Sequence, residues 1–220
     1  MNLYLDIETI PSQRADVRAF LARTVRHPKT LSKPESIKAW YADHIVQAID
    51  EEVSKTGLDG TFGQVVCIGL QIDDEACEAV FGLDEVDVLT RLNEWLTRIP
   101  QSEIFTTVVI GHNVSNFDLR FLMQRFIARA IKPHPVLARA ATAKPWEVDK
   151  VFDTMVQFAG PGNRISLDKL CMALSLEGKG DITGADVWPM VQDGRLEEVA
   201  QYCLHDVRLT RDVHRRMTFS

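Results

Sequence analysis

Cysteine is scarce in this chain: four in 220 residues, at positions 67, 77, 171 and 203, with no Cys-x-x-Cys spacing between them. Each lies among apolar neighbours, as small buried thiols do, so neither a zinc site nor a disulfide framework is expected. Long apolar runs are missing too. No stretch is long enough to span a bilayer, and the N-terminus has no basic segment followed by an apolar signal core, so a cytoplasmic protein with no membrane partner is the expectation. Positive charge is not in excess: 25 Lys and Arg stand against 31 Asp and Glu, a net charge of -6. Such a balance argues against holding nucleic acid by bulk electrostatics alone. It leaves open an enzyme acting on phosphates, because bound cations rather than the overall charge set the field a phosphate meets. Internal repeats and low-complexity tracts are absent. The composition, 45% hydrophobic and 25% charged, is ordinary for a globular protein.

The chain is organised around its first strand, Leu3-Tyr4-Leu5-Asp6-Ile7-Glu8-Thr9. Alternation puts Tyr4, Asp6 and Glu8 on one face and Leu3, Leu5 and Ile7 on the other, so two carboxylates point the same way from an apolar strand. Asp-x-Glu occurs three times, but Asp50/Glu52 closes a charged helical stretch and Asp73/Glu75 sits in a polar turn. Adjacent like charges need solvent, an Arg or Lys, or a divalent cation, and hard oxygen ligands suit magnesium and manganese.

Beyond this strand, Ile10-Pro11-Ser12 is a stop and a helix cap, and helical patterning extends to about Arg26. Breaks at His27-Pro28 and Lys33-Pro34 precede a helix over Ser36 to Lys55, so residues 11–60 read as a helical insertion within one domain spanning 1–220. Gly63 to Ile72 is a β-branched strand pairing in a hairpin with Cys77 to Phe81. A helix over Asp84 to Ile99 ends at Pro100, a strand covers Ile104 to Ile110, and Ser115 to Ile131 is helical, with Arg125, Arg129 and Lys132 opposite its apolar face. Between Leu119 and Lys150 seven Lys or Arg stand against two acids, which is either a solvated face or a backbone-contacting surface. A strand over Val151 to Val156, a turn at Gly160 to Asn163, a helix to Leu176, a loop at Glu177 to Asp181, a short helix over Gly184 to Val191 and a long one over Arg195 to Met217 complete the chain. The order predicts an α/β fold with a central mixed sheet flanked by helices.

On the closing helix Val199, Tyr202, Asp206, Leu209 and Val213 share one stripe, which places Asp206 on the buried face. An unpaired buried charge costs several kcal/mol, so Asp206 needs a cation, a backbone hydrogen bond or an Arg from elsewhere. Asp118, in the first turn of its helix, is a fourth acid to set beside Asp6 and Glu8. Four acids with a Tyr one turn before the last suit two-metal phosphoryl chemistry, the Tyr202 hydroxyl orienting a water. Serine or cysteine catalysis finds little support: Ser115 and Ser166 occupy cap positions, His205 points away from Asp206, and His112 is a structural or substrate-contacting residue rather than a base. Asp153 is a further acid that could line the same cleft.

Asp6-x-Glu8, then Gly111-His112-Asn113 with Asn116-Phe117-Asp118, then Tyr202-Cys203-Leu204-His205-Asp206 resemble, in order and separation, the three exonuclease motifs of the DEDD superfamily. Tyr202 stands four residues before Asp206 and Gln occupies position 201, so the third motif is similar to the Tyr-type subgroup, which includes proofreading domains and ribonuclease D. The wording is closest to stand-alone proteins related to the proofreading domain of family B polymerases; residues 11–60 match the superfamily least. The resemblance implies a ribonuclease H-like fold and a 3′–5′ exonuclease with two Mg2+ or Mn2+ ions. It implies Asp6 bridging both, Glu8 and Asp206 completing one, Asp118 holding the other, and Tyr202 positioning water. Thr9, Ile10, His112, Asn113 and Phe117, flanking the acids in these motifs, are the candidate substrate contacts. Single-stranded DNA 3′ ends are the expected partner ahead of RNA, with a replication or repair protein as a second. An RNA-trimming enzyme and an idle nucleic-acid-binding module are the alternatives.

Overall fold

The computed structural model describes residues 1–178 and 180–220. It divides into two compact units, one made of Met1–Glu8 with Val65–Ser220 and the other of Thr9–Gln64. Along the chain, strand β1 is Asn2–Ile10; helices α1 (Ala15–Ala22) and α2 (Pro34–Lys55) and a 3-10 turn (Thr56–Leu58) follow, then β2 (Gln64–Ile72) and β3 (Glu78–Phe81). Next come α3 (Glu85–Leu96), β4 (Val108–Gly111), α4 (Asp118–Ala128), α5 (Pro135–Ala140), β5 (Val151–Asp153), α6 (Thr154–Ala159), α7 (Leu167–Ala173), α8 (Val187–Gln192) and α9 (Leu196–Thr218). Among the described residues no helix is long and apolar enough to cross a membrane.

The sheet has five strands in the order β3-β2-β1-β4-β5. β2 and β3 run antiparallel, while β1 with β4 and β4 with β5 run parallel, in the register Leu3↔Val109 and Ile110↔Phe152. This is the mixed, helix-flanked sheet that the order of elements predicts. β1 lies in its middle and is covered on both faces. Leu3, Leu5 and Ile7 enter the main core with Val88, Leu89 and Leu92 of α3 and Leu119, Leu122 and Phe126 of α4. Burying each such side chain contributes about 1.5–3 kcal/mol. Tyr4, on the opposite face, packs with Ile110 and with Val207 of α9, and its hydroxyl bonds His214 Nδ1 at 3.1 Å. A Cβ on Gly69 would come within 2.8 Å of Val207 Cγ2, so a residue without a side chain lets α9 lie close on β2.

Several boundaries differ from the sequence reading, each for a reason outside periodicity. The strand expected over Ile104 to Ile110 begins only at Val108, because Thr107 spends both its N–H and its hydroxyl on the carbonyl of Glu103 in a turn. β5 stops at Asp153 rather than Val156: the Asp153 carboxylate accepts from Met155 N and Val156 N and caps α6. α4 starts at Asp118 rather than Ser115, since residues 113–117 are held as a turn with Asn113 at φ +62. Arg125 does not face solvent. It is 3% exposed, and its guanidinium donates two hydrogen bonds of 2.9 Å to Glu85, which also accepts from Arg129 Nε at 2.6 Å. Arg139 donates to the Thr107 carbonyl and Lys150 pairs with Glu147, so much of the basic segment is committed internally. The loop expected at Glu177 to Asp181 contains Lys179, which lies outside the described residues.

The unit of Thr9–Gln64 holds α1, α2 and the 3-10 turn, with Arg18 paired to Asp50 at 2.6 Å between the two helices. Pro34 opens α2 at its first turn, where a missing N–H costs nothing. Thr9 Oγ1 donates to the Gly57 carbonyl at 2.6 Å and Ser12 N to Thr56 Oγ1 at 2.8 Å, joining the end of β1 to the 3-10 turn.

Candidate active site

The alternation of β1 brings Asp6 and Glu8 to the face covered by α9, where Cys203 meets them. Carboxylate oxygens of Asp6 and Glu8 and the Cys203 sulfur lie within 4.8 Å of one another. The sulfur is 3.4 Å from Asp6 Oδ2 and 3.5 Å from the Asp6 carbonyl. Asp118, at the start of α4, reaches the same strand: its Oδ1 accepts the N–H of Ile7, between the two acids, at 3.1 Å. Asp118 is 3% exposed and Asp206 4%. Burial pushes the Asp118 carboxyl up to about 7; its own N–H and that of Ile7 pull it down, and the charges of Asp153 and Asp206 raise it further.

Asp6 and Asp206 line one cleft of about 490 Å³, together with His112, Asn113, Arg164 and Lys169. Asp153 builds one wall without turning into it. Its carboxylate accepts from the N–H groups of Asn113 and Ser115, 3.0 Å each, as well as from the first turn of α6. Gly111 permits that wall: a Cβ there would lie 2.5 Å from Val114 Cβ and 2.9 Å from the Leu5 carbonyl. His112 is held at both nitrogens, Nδ1 by Thr154 Oγ1 and Nε2 by the Ile165 carbonyl, 2.9 Å each. The carbonyl can only accept, so Nε2 carries a proton, and both ring nitrogens are engaged in the wall.

The remaining candidates are more dispersed. Tyr202 is buried on α9 one turn before Asp206, and it lines a neighbouring hollow with Glu198, Gln201, His205 and Ile182. Phe117 packs against the main core and 5.7 Å from Phe121. Thr9 and Ile10 belong to the unit of Thr9–Gln64, the Thr9 hydroxyl being bound to Gly57. Sequence reading missed Arg164 and Lys169, loop and first-turn cations with no periodicity to mark them. It took Cys203 for a plain buried thiol, although Cys203 follows Tyr202 in the third motif.

The carboxylates clustered at Asp6 and Glu8 are hard-oxygen donors, and they fit a divalent cation. A family described as predicted 3′–5′ exonucleases related to the exonuclease domain of PolB matches residues 60–219. The chain belongs to this family. Asp118, Tyr202 and Asp206 of this PolB-related exonuclease fall inside the matched segment, and Asp6 and Glu8 precede it. Its fold is similar to that of the family B DNA polymerase from the hyperthermophilic archaeon Pyrobaculum calidifontis, with a TM-score of 0.60 at 16% identity, over 99% of this chain. It spans 24% of that polymerase's length. No curated protein matches the sequence.

Proposed function

We propose that this chain hydrolyses single-stranded DNA from the 3′ end with two Mg2+ or Mn2+ ions, held by Asp6, Glu8, Asp118 and Asp206. The observation carrying this reading is the convergence of Asp6, Glu8 and Asp118 about the Ile7 backbone, with Asp206 on the cleft that Asp6 lines. When bound, such cations lower the pKa of water and neutralise charge on the transferring phosphate. Burial biases the Asp118 carboxyl toward its protonated form, and a bound cation would favour the ionised form. Tyr202, four residues before Asp206, orients the attacking water through its hydroxyl. Arg164 and Lys169, which line the same cleft as Asp6 and Asp206, meet backbone phosphate.

A 5′-labelled single strand incubated with protein and Mg2+ should give a ladder shortened from the 3′ end. The absence of a ladder with either Mg2+ or Mn2+ overturns the reading, and an RNA strand of the same sequence decides between sugars. Tyr202→Phe is expected to lower kcat by roughly 2–4 kcal/mol of barrier, tens to a thousandfold, at unchanged KM and Tm. A lowered Tm with unchanged kcat would make the Tyr202 hydroxyl a packing group. Replacing Arg164 and Lys169 together by Ala should raise KM and reduce the slope of log affinity against log salt by about 0.7 per lost contact, with kcat nearly unchanged. A variant with unaltered KM and salt slope would remove both residues from the substrate path.

A further inference from the structure

We propose that Cys203 is a positioning residue for Asp6, holding its carboxylate in the orientation that receives the cation through an S–H hydrogen bond. The inference rests on the cation-dependent reading of the site. Cys203 is fully buried, and its sulfur is 3.4 Å from Asp6 Oδ2 and 3.5 Å from the carbonyl of the same residue. One thiol thus meets the side chain and the main chain of Asp6 together.

The sulfur lies close to the neighbouring strand. Gly69, on the strand beside β1, presents bare backbone to it, and a Cβ built there would stand 3.0 Å from the sulfur and 3.2 Å from the Cys203 carbonyl. The glycine that lets α9 approach thus also lets the thiol reach Asp6. A second reading would make the sulfur a cation ligand itself. That needs a thiolate, a third negative charge beside Asp6 and Glu8. A donor to Oδ2 also restricts rotation of the carboxylate. Groups that orient a ligating carboxylate in this way tune metal affinity without touching the metal.

The test compares wild type, Cys203→Ala and Cys203→Ser, measuring Mn2+ binding by calorimetry without DNA, Tm in chelator, and cleavage. Cys203→Ala should weaken Mn2+ binding about tenfold, the low end for a partner that orients a metal ligand, because S–H is a weak donor. Cys203→Ser, which restores an O–H donor, should recover most of it. If Cys203→Ala does not fold, Cys203→Val fills a similar volume without a donor and takes its place. Equal Mn2+ affinity in wild type and Ala, or Ser no better than Ala, overturns the proposal. So does an ultraviolet cadmium–thiolate band in wild type that Cys203→Ser loses, since the sulfur would then be a ligand. Failure of positioning alone appears as active wild type with an equally active Ala variant. Wild type that binds Mn2+ and cleaves nothing overturns the exonuclease reading, and wild type that binds no Mn2+ overturns both.

Discussion

Asp118→Asn is expected to reduce cleavage by about a thousandfold or more while making the metal-free protein more stable above pH 7. The first part follows from losing one of four carboxylates at a site whose charge balance depends on them. The second follows from where Asp118 sits. Its carboxyl is buried and has moved up to about 7, from an ordinary 3.8, because burial disfavours the ionised form and Asp153 and Asp206 add to that. The folded state therefore holds a proton between about pH 4 and pH 7 that the unfolded chain has given up, so stability falls with rising pH across that window by about 1.4 kcal/mol per unit and levels above it. The full cost above pH 7 is on the order of 4 kcal/mol. Asn has no such titration, and its carbonyl can still accept the Ile7 N–H at the position of Oδ1. Denaturant melts in chelator from pH 4 to 9 should show a falling wild-type curve and a flatter Asn curve that crosses above it. An Asn protein less stable than wild type at pH 8 would mean that the ionised Asp118 carboxylate is itself a structural partner.

The parts of the site that sequence made legible are those written in short-range periodicity. Alternation along β1 placed Asp6 and Glu8 on one face, and the four-residue spacing on α9 put Tyr202 and Asp206 on its buried side. The misread parts depend on partners distant in the chain. A helical wheel puts Arg125 away from the apolar stripe of α4, but Glu85, 40 residues earlier, draws it inside. Asp153 reads as a strand acid with a cleft to fill. Four backbone N–H groups, two from its own helix and two from the turn after β4, claim it instead. Ser115 then belongs to that turn rather than to a helix. Cys203 gave no signal because a thiol among apolar residues looks the same whether or not a carboxylate lies beside it.

Glu85→Ala should be the most damaging change in the protein away from the cleft. Glu85 is 2% exposed and accepts from Val65 N at 2.9 Å, from Arg125 at both carboxylate oxygens and from Arg129 Nε. It thereby ties the start of α3 to the start of β2 and to the last turn of α4. Burial pushes its carboxyl up, but Arg125, the Val65 N–H and Arg129 outweigh burial and hold it below the ordinary range. Removing the carboxylate takes two hydrogen bonds from Arg125, itself 3% exposed, and takes its acceptor from the Val65 N–H. Breaking such a buried pair from one side costs about 3–5 kcal/mol, and in a chain of this size that lowers Tm by on the order of 10 °C. Arg129→Ala should cost far less, because a third of its side chain is in solvent, where the pair is screened. Replacing Glu85 and Arg125 together, by Leu and Met, removes both charges at similar volume and should recover most of the loss. The residual cleavage per folded molecule at low temperature should change little in any of these variants, since α4 carries Asp118 at its first residue while Arg125 lies two turns further along. A double variant as unstable as Glu85→Ala would mean that the Val65 N–H, rather than the guanidinium, is what Glu85 is there to satisfy.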